Sequence, residues 1–186
     1  MANYLHILRG GAGATDAASK FGQCTVNSLT VALSVTLITV IAGSLSAYSL
    51  ARLRFRGRRL LSLSIIFPQV LPPIAVIIPL YVIIMRMGFL DTKLSLVLTY
   101  VSFILPLVTW LMIGHFSSVP RELEEAARVD GCTRAGALLK VVLPLVAPGV
   151  AATSIFAFII AWNEFFYALI FTSTTNSKTL SVLVEE

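Results

Sequence analysis

The densest cluster of groups that could do chemistry in this chain lies in one short stretch. Residues 121–150 read RELEEAARVDGCTRAGALLKVVLPLVAPGV and contain both charge signs within an otherwise apolar sequence. At helical spacing this stretch forms a narrow apolar stripe of three residues, Leu123, Ala126 and Ala127, and the acid Asp130 continues it. Small side chains let two surfaces approach closely. The stripe favours a helix that docks against another protein, with an ordinary solvated loop as the alternative.

The same stretch carries signals for where its helices begin and end. Pro120 suits the first helical position, where its missing N–H costs nothing. Glu124 and Arg128 stand four residues apart in the favourable order and can pair on the exposed side. Gly131 is a natural stop because it is free to adopt the left-handed conformation. We expect a second helix after it, ended by Leu143-Pro144.

A second candidate lies near the end of the chain, within AWNEFFYAL. Glu164 is the one acid in an apolar run, and such a group by default faces a helix-bundle interior or a watery cavity. Asn163 adds an amide and Phe165 a flat apolar face. Carboxylate, amide and aromatic groups are what a sugar site needs. Alternatively, Glu164 holds two helices together or lies near the outer interface.

Catalytic chemistry is not indicated. The N-terminal GGAGAT lacks the lysine of a phosphate-binding loop and has no strand before it, so we do not expect ATP hydrolysis by this chain. His6 and His115 have no Cys, His or acidic neighbours at ligand spacing, so no metal site is expected. No nucleophile–base pair stands out either. We therefore expect no cofactor bound by this chain.

The composition indicates an all-α integral membrane protein. Apolar residues make up 57% of the 186 residues and charged ones 12%, with a mean hydropathy of +0.89. A soluble domain carries about twice that charged fraction. Uncharged apolar runs of about 18 residues or more predict membrane-spanning helices. Strands of alternating polarity, as a membrane barrel would need, are not seen in the sequence.

Four spans are predicted, at about 25–51, 60–85, 94–116 and 148–171. The second contains four prolines, each of which removes a backbone hydrogen bond and tends to kink a helix: Pro68, Pro72, Pro73 and Pro79. This span is either a broken helix that lines a wet pathway or a kinked packing helix, and Gln69 is a weaker polar candidate beside the first proline. In the first span, Gly43 and Ala47 match a face of small residues for close helix packing.

The positive charges predict the orientation. Loops 52–59 and 117–147 fall on the same side of four spans and hold nine of the fourteen Lys and Arg residues. The positive-inside rule places both loops in the cytoplasm. The segment 1–20 and the tail 172–186 are then external.

Beyond these patterns, the charged loop resembles a known motif. Glu125-Ala126-Ala127, three residues, Gly131, nine residues and Val141-Val142-Leu143-Pro144 resemble the EAA loop of bacterial ABC importer permeases. Only Val141, where the family has isoleucine, departs from the pattern. NSLTVAL, AYSLARLRFRGRR, IPLY and WNEFFYALIF further resemble the carbohydrate-importer branch and its MalG-like subunits.

The resemblance implies an inner-membrane permease subunit for a sugar. It implies partners: a second permease, two ATPase subunits that hold ATP and magnesium, an external solute-binding protein and membrane lipid, but no nucleic acid. The implied ATPase-docking residues of the coupling loop are Leu123, Glu124, Glu125, Ala126, Ala127, Asp130, Gly131, Leu143 and Pro144. The candidate residues of the translocation pathway are Gln69, Asn163, Glu164 and Phe165.

The number of spans departs from the family. Such subunits usually have six, whereas four are counted here, so we expect 1–186 to be one partial transmembrane domain without the first and last spans. The alternatives to a sugar permease are an importer permease for another solute, such as an amino acid or phosphate, and a truncated scaffold that does not transport.

Overall fold

Every regular element that the structure describes is helical, which confirms the all-α class. The computed structural model describes residues 14–53 and 55–185, and the side chains of these residues except 14–18 and Pro73. His6, and the greater part of the predicted external segment 1–20, lie outside the described residues.

The helices follow one another along the chain, several with short breaks. In chain order they are α1 (Ala14–Arg52), α2 (Arg58–Ile66), a 3₁₀ turn (Phe67–Val70), α3 (Pro73–Arg86), α4 (Lys93–Ser118), α5 (Arg121–Val129), α6 (Arg134–Ala137), a π-helical turn (Leu138–Val142), α7 (Leu143–Asn163), α8 (Phe166–Phe171) and α9 (Leu180–Glu185).

Three helical stretches within the described residues are long and apolar enough to cross a membrane. They are Ser19–Arg52, Lys93–Ser118 and Arg134–Asn163. A fourth span is present if the two halves of the second apolar run are taken together. Their outer faces carry exposed large apolar side chains that suit contact with lipid, among them Leu33, Leu37, Ile78, Ile155 and Ile159.

The second apolar run is a broken helix and not one continuous span over 60–85. The helix tightens into the 3₁₀ turn at Phe67–Val70, and Leu71 is extended, with φ −74° and ψ 131°. A residue that precedes a proline is driven out of the helical region, and Pro72 follows Leu71. Pro79 lies inside α3. The broken form corresponds to the first of the two alternatives, and its role as a pathway wall stays a prediction.

The fourth span differs from the predicted 148–171, and Leu143-Pro144 does not end a helix. The chain is helical from Arg134 through the π-helical turn to Asn163. Directly after that turn, Pro144 is the second residue of α7. A π-helical turn interrupts the usual i to i−4 hydrogen bonds, so the proline ring and its missing N–H are tolerated there. At the other end, α7 stops at Asn163, and α8 begins at Phe166 after two non-helical residues.

The described chain packs as two units, each with its own core. The first comprises 14–35, 73–100 and 159–185, and its largest fully buried side chains include Leu96, Tyr100 and Phe171. The second comprises 36–53, 55–72 and 101–158, with Ile104, Val108, Met112 and Phe116 buried.

Close packing of α1 on α4 in the second unit explains the pair of small residues. A Cβ added at Gly43 would lie 2.9 Å from the Val108 Cγ1 atom. Ala47, one turn later, is fully buried. The predicted small-residue face is thus confirmed as a site of close helix contact, because a larger side chain at Gly43 would push the helices apart.

Candidate functional site

The predicted docking helix is α5, which runs from Arg121 to Val129 directly after Pro120. Pro120 is the residue before the first helical turn and not, as predicted, part of it. Two acids lie in the first turn, Glu122 and Glu124, and Arg128 lies in the last. Negative charge near a helix N-terminus and positive charge near its C-terminus both interact favourably with the helix dipole. The sequence of α5 therefore favours a short, separate helix.

The stripe predicted for docking divides between two faces of α5. Ala127 is buried, with 8% of its surface exposed. Leu123 and Ala126 remain exposed, as do Glu125 and Asp130. The helix therefore keeps a small-residue face and an apolar side chain available to a partner, while one alanine seats it on its own chain.

Gly131 ends α5 in the conformation that its sequence position predicts. Its φ is +91°, in the left-handed region. The amide of Cys132 donates to the Ala127 carbonyl at 3.0 Å, and the Gly131 amide donates to the Arg128 carbonyl at 3.2 Å. This pair of bonds is a Schellman cap, which needs a residue tolerant of positive φ. The conformation is confirmed, and the part of Gly131 in docking stays a prediction.

The second helix of the loop starts with its own cap. The Thr133 hydroxyl accepts a hydrogen bond from the Gly136 amide at 3.1 Å, as a good N-cap residue does. The π-helical turn then joins α6 to α7. Leu143 is half-buried and Pro144 exposed at the start of α7. These two predicted docking residues therefore belong to the foot of a span.

Contacts with the end of α1 hold α5 in place, and sequence reasoning missed them. The Tyr48 hydroxyl donates to Glu124 Oε1 at 2.6 Å, and Arg52 Nε lies 3.5 Å from Glu124 Oε2. The Arg52 Nη2 group also donates to the Val119 carbonyl at 2.8 Å. Spacing alone had paired Glu124 with Arg128 on the exposed side. The one available signal was that Tyr48 and Arg52 stand four residues apart, hence on the same face of α1.

A positively charged cavity of about 500 Å³ opens beside these contacts. Four arginines and two glutamates contribute to its wall: Arg52, Arg121, Arg128, Arg134, Glu124 and Glu125. Because the Glu124 carboxylate already faces Arg52, the balance of charge toward solvent is positive.

In the first unit, Glu164 serves as the cap of a helix. Its carboxylate accepts hydrogen bonds from the amides of Phe166, Tyr167 and Ala168, at 3.0, 3.1 and 3.4 Å, and so begins α8. It also interacts with the Tyr100 hydroxyl of α4. The contact with Tyr100 agrees with the alternative in which Glu164 holds two helices together. Contact with a transported solute stays a prediction.

Two of the other candidate pathway residues, Asn163 and Gln69, donate hydrogen bonds to backbone carbonyls. The exposed Asn163 side chain donates to the Ile159 carbonyl one turn earlier, at 2.9 Å. Phe165, half-buried, is the residue before the first turn of α8. In the second unit, the Gln69 amide donates to the Phe103 carbonyl at 2.6 Å, which joins the 3₁₀ turn to α4. These hydrogen bonds hold the Asn163 and Gln69 side chains in place.

Asp91 organises a turn that the sequence did not predict. Its carboxylate accepts from the amides of Ser173 and Thr174, at 2.8 and 3.0 Å, and from the Ser177 hydroxyl. Partial burial pushes the pKa of Asp91 up, but these hydrogen bonds outweigh it and hold the pKa below its usual range. The Asn27 side chain donates to two carbonyls of the same segment. The segment after α8 is thereby tied down in the first unit.

The comparisons with known proteins agree with one another. Residues 31–184 match the model of the family described as binding-protein-dependent transport system inner membrane component. The sulfoquinovosyl glycerol transport system permease protein SmoH of Agrobacterium fabrum is 43% identical over 159 residues, 86% of this chain and 56% of that protein. The trehalose/maltose transport system permease protein MalG of Thermococcus litoralis is 36% identical over 180 residues, 97% of this chain and 63% of that protein.

A solved structure is similar as well. It is described as a bacterial ABC transporter involved in the import of the acidic polysaccharide alginate. The match has a TM-score of 0.82 at 25% identity, and covers 98% of this chain and 61% of that one. The chain thus spans between 56% and 63% of the length of these two permeases and this structure.

Proposed function

Because this chain belongs to the binding-protein-dependent transport system inner membrane component family of ABC transporters, we propose that it is a permease subunit of a sugar importer. The predicted resemblance to sugar ABC permeases is confirmed, and the chain is a multi-pass inner-membrane protein. The permease role is inferred from relatives that are named as permeases and are longer than this chain.

The observation that carries the coupling role is the shape of the loop at 121–144. The helix α5 has a rigid glycine cap, an exposed face with Leu123 and Ala126, and an anchor on α1. Such a helix can move as one body. We infer that it lies on the cytoplasmic side and docks on an ATPase subunit.

Energy would then enter from outside this chain. In the proposed complex, ATP and magnesium bind to two ATPase subunits, and closure of their dimer moves the loop at 121–144. A second permease completes the passage, and an external solute-binding protein delivers the sugar. The spans switch between outward and inward access because the nucleotide state of the ATPase changes their relative free energies.

The relatives favour a sugar over other solutes. Their names refer to sulfoquinovosyl glycerol and to trehalose and maltose. We propose a sugar or a glycoside as the substrate here, with the segment around Glu164 at the pathway.

Uptake in a reconstituted complex tests this function. The full complex should accumulate one or more members of a sugar panel when ATP is supplied, and should lose that uptake when this subunit is omitted. Uptake of amino acids or phosphate but no sugar would replace the substrate class. A chain that assembles with no ATPase subunit would instead be a scaffold.

A further inference from the structure

A buried ion pair joins the docking helix to the end of α1. The side chains of Arg52 and Glu124 are only 5% and 14% exposed, and 3.5 Å separates Arg52 Nε from Glu124 Oε2. The Tyr48 hydroxyl completes the cluster through its 2.6 Å bond to the same carboxylate. Opposite charges so far removed from water attract strongly and are weakly screened by salt. Separation of the two charges would leave each of them poorly solvated.

The contacts with α1 cover the whole start of α5. Arg52 holds the Val119 carbonyl just before the helix, and Arg121 reaches the Ala51 carbonyl at 3.5 Å from the first turn. Further along α5, Glu124 contacts Tyr48 and Arg52 of α1. On the α1 side, the Tyr48 ring packs edge-on against Phe116, with ring centroids 6.0 Å apart. A displacement of α5 must therefore carry the end of α1 with it or break this cluster.

We propose that Tyr48, Arg52 and Glu124 form a joint that carries movement of the docking helix into α1. Glu124 is then a positioning residue for energy coupling, whereas the exposed Glu125 beside it faces the partner. This inference rests on the proposed function, because it assigns the path of movement within the same importer.

Charge removal at Glu124 tests the joint. Glu124→Gln keeps the size of the side chain but loses the ionic attraction, and Glu122→Gln removes an exposed charge from the same helix as a matched control. Sugar taken up per ATP hydrolysed is measured in the reconstituted complex. Loss of the ionic attraction to the buried Arg52 should lower this ratio by about tenfold or more for Glu124→Gln, whereas Glu122→Gln should leave it unchanged.

Tyr48→Phe separates a joint from a general packing role. It removes the hydroxyl and keeps the ring on Phe116, so assembly should stay normal while the uptake-to-hydrolysis ratio falls. Because the hydroxyl and the carboxylate act as one unit, the double variant with Glu124→Gln should fall no further than Glu124→Gln alone. Losses that multiply in the double variant would contradict a common joint.

Docking is followed separately by a cysteine crosslink from Ala126→Cys to the ATPase subunit, with Cys24 and Cys132 replaced by serine. A retained crosslink with a reduced ratio in Glu124→Gln supports the joint. A native ratio in Glu124→Gln overturns it and leaves the proposed function intact. Loss of the crosslink in Glu124→Gln also overturns it, since the cluster would then only hold α5 in its docking position. Failure to crosslink without the Glu124 change would refute the proposed function itself.

Discussion

Replacement of Gly131 by valine should uncouple ATP hydrolysis from uptake through strain in the backbone. A Cβ at this position would meet no other atom within 4 Å, so the first side-chain atom has open space. The expected effect comes from the backbone, because valine would have to adopt the Gly131 φ of +91°. The left-handed region costs an L-residue about 1–2 kcal/mol, and β-branched residues are the least tolerant of it.

The size of the effect follows from this cost. A penalty of about 2 kcal/mol lowers the population of the native turn about thirtyfold relative to turns with negative φ. Such turns lose the two hydrogen bonds of the Schellman cap and redirect the chain between α5 and α6. We therefore expect the uptake-to-hydrolysis ratio of Gly131→Val to fall at least about tenfold.

The matched control is Gly131→Asn, because asparagine accepts the left-handed conformation better than other residues with a side chain. Both variants are reconstituted with the partner subunits, and uptake and ATP hydrolysis are measured on the same vesicles. Gly131→Asn should stay within about threefold of the native ratio, which is less than about 1 kcal/mol. Native uptake by an assembled Gly131→Val complex would refute the coupling role, and equal losses in both variants would refute the backbone argument.

Three further predictions concern the spans and the turn at Asp91. Glu164→Gln weakens the cap of α8, so the melting temperature should fall by the equivalent of about 1 kcal/mol. The uptake rate or the affinity for the sugar should fall too. If both transport parameters stay native, the pathway role is wrong. The depressed pKa of Asp91 means that its contribution to stability is present above the ordinary carboxyl pKa and is lost as the pH falls through the depressed value. Asp91→Asn should therefore lower the melting temperature near neutral pH and reduce its fall in acid, and parallel pH profiles would contradict this. In Gly149→Ala the new Cβ would lie 2.5 Å from the His115 ring, so the free energy of unfolding should fall by about 1–3 kcal/mol. Gly114→Ala places its Cβ in open space and should show no such fall. Equal melting temperatures of the two variants would refute the close contact.

The local features of the docking loop could be predicted because they depend on neighbours in sequence. A glycine directly after a short amphipathic helix commonly forms a left-handed cap, and Gly131 does so. Long uncharged runs likewise predict spans without knowledge of the packing. The prediction that Leu143-Pro144 ends the second helix was wrong, because a π-helical turn accommodates Pro144. No local pattern in the sequence indicates such a turn.

The anchor of the docking helix could not be predicted for a different reason. Glu124 and Tyr48 are separated by 76 positions in the chain, and only tertiary packing brings them together. The local i,i+4 partner of Glu124 was a weaker competitor than a buried arginine and a phenol. Asp91 is a similar case, since its amide donors lie 82 and 83 positions away. Polar side chains near helix ends thus pair with residues far away in the sequence, and the spacing of residues along one helix cannot predict such pairs.

The most direct test of α5 as the docking element is a crosslink between α5 and the ATPase subunit in the assembled complex. Cysteine is placed at Ala126 and, as a control, at the exposed Thr174 in the turn predicted to be external. We expect an adduct with the ATPase subunit from Ala126→Cys and none from Thr174→Cys. An intact complex in which Ala126→Cys gives no adduct would contradict the assignment of this helix as the docking element.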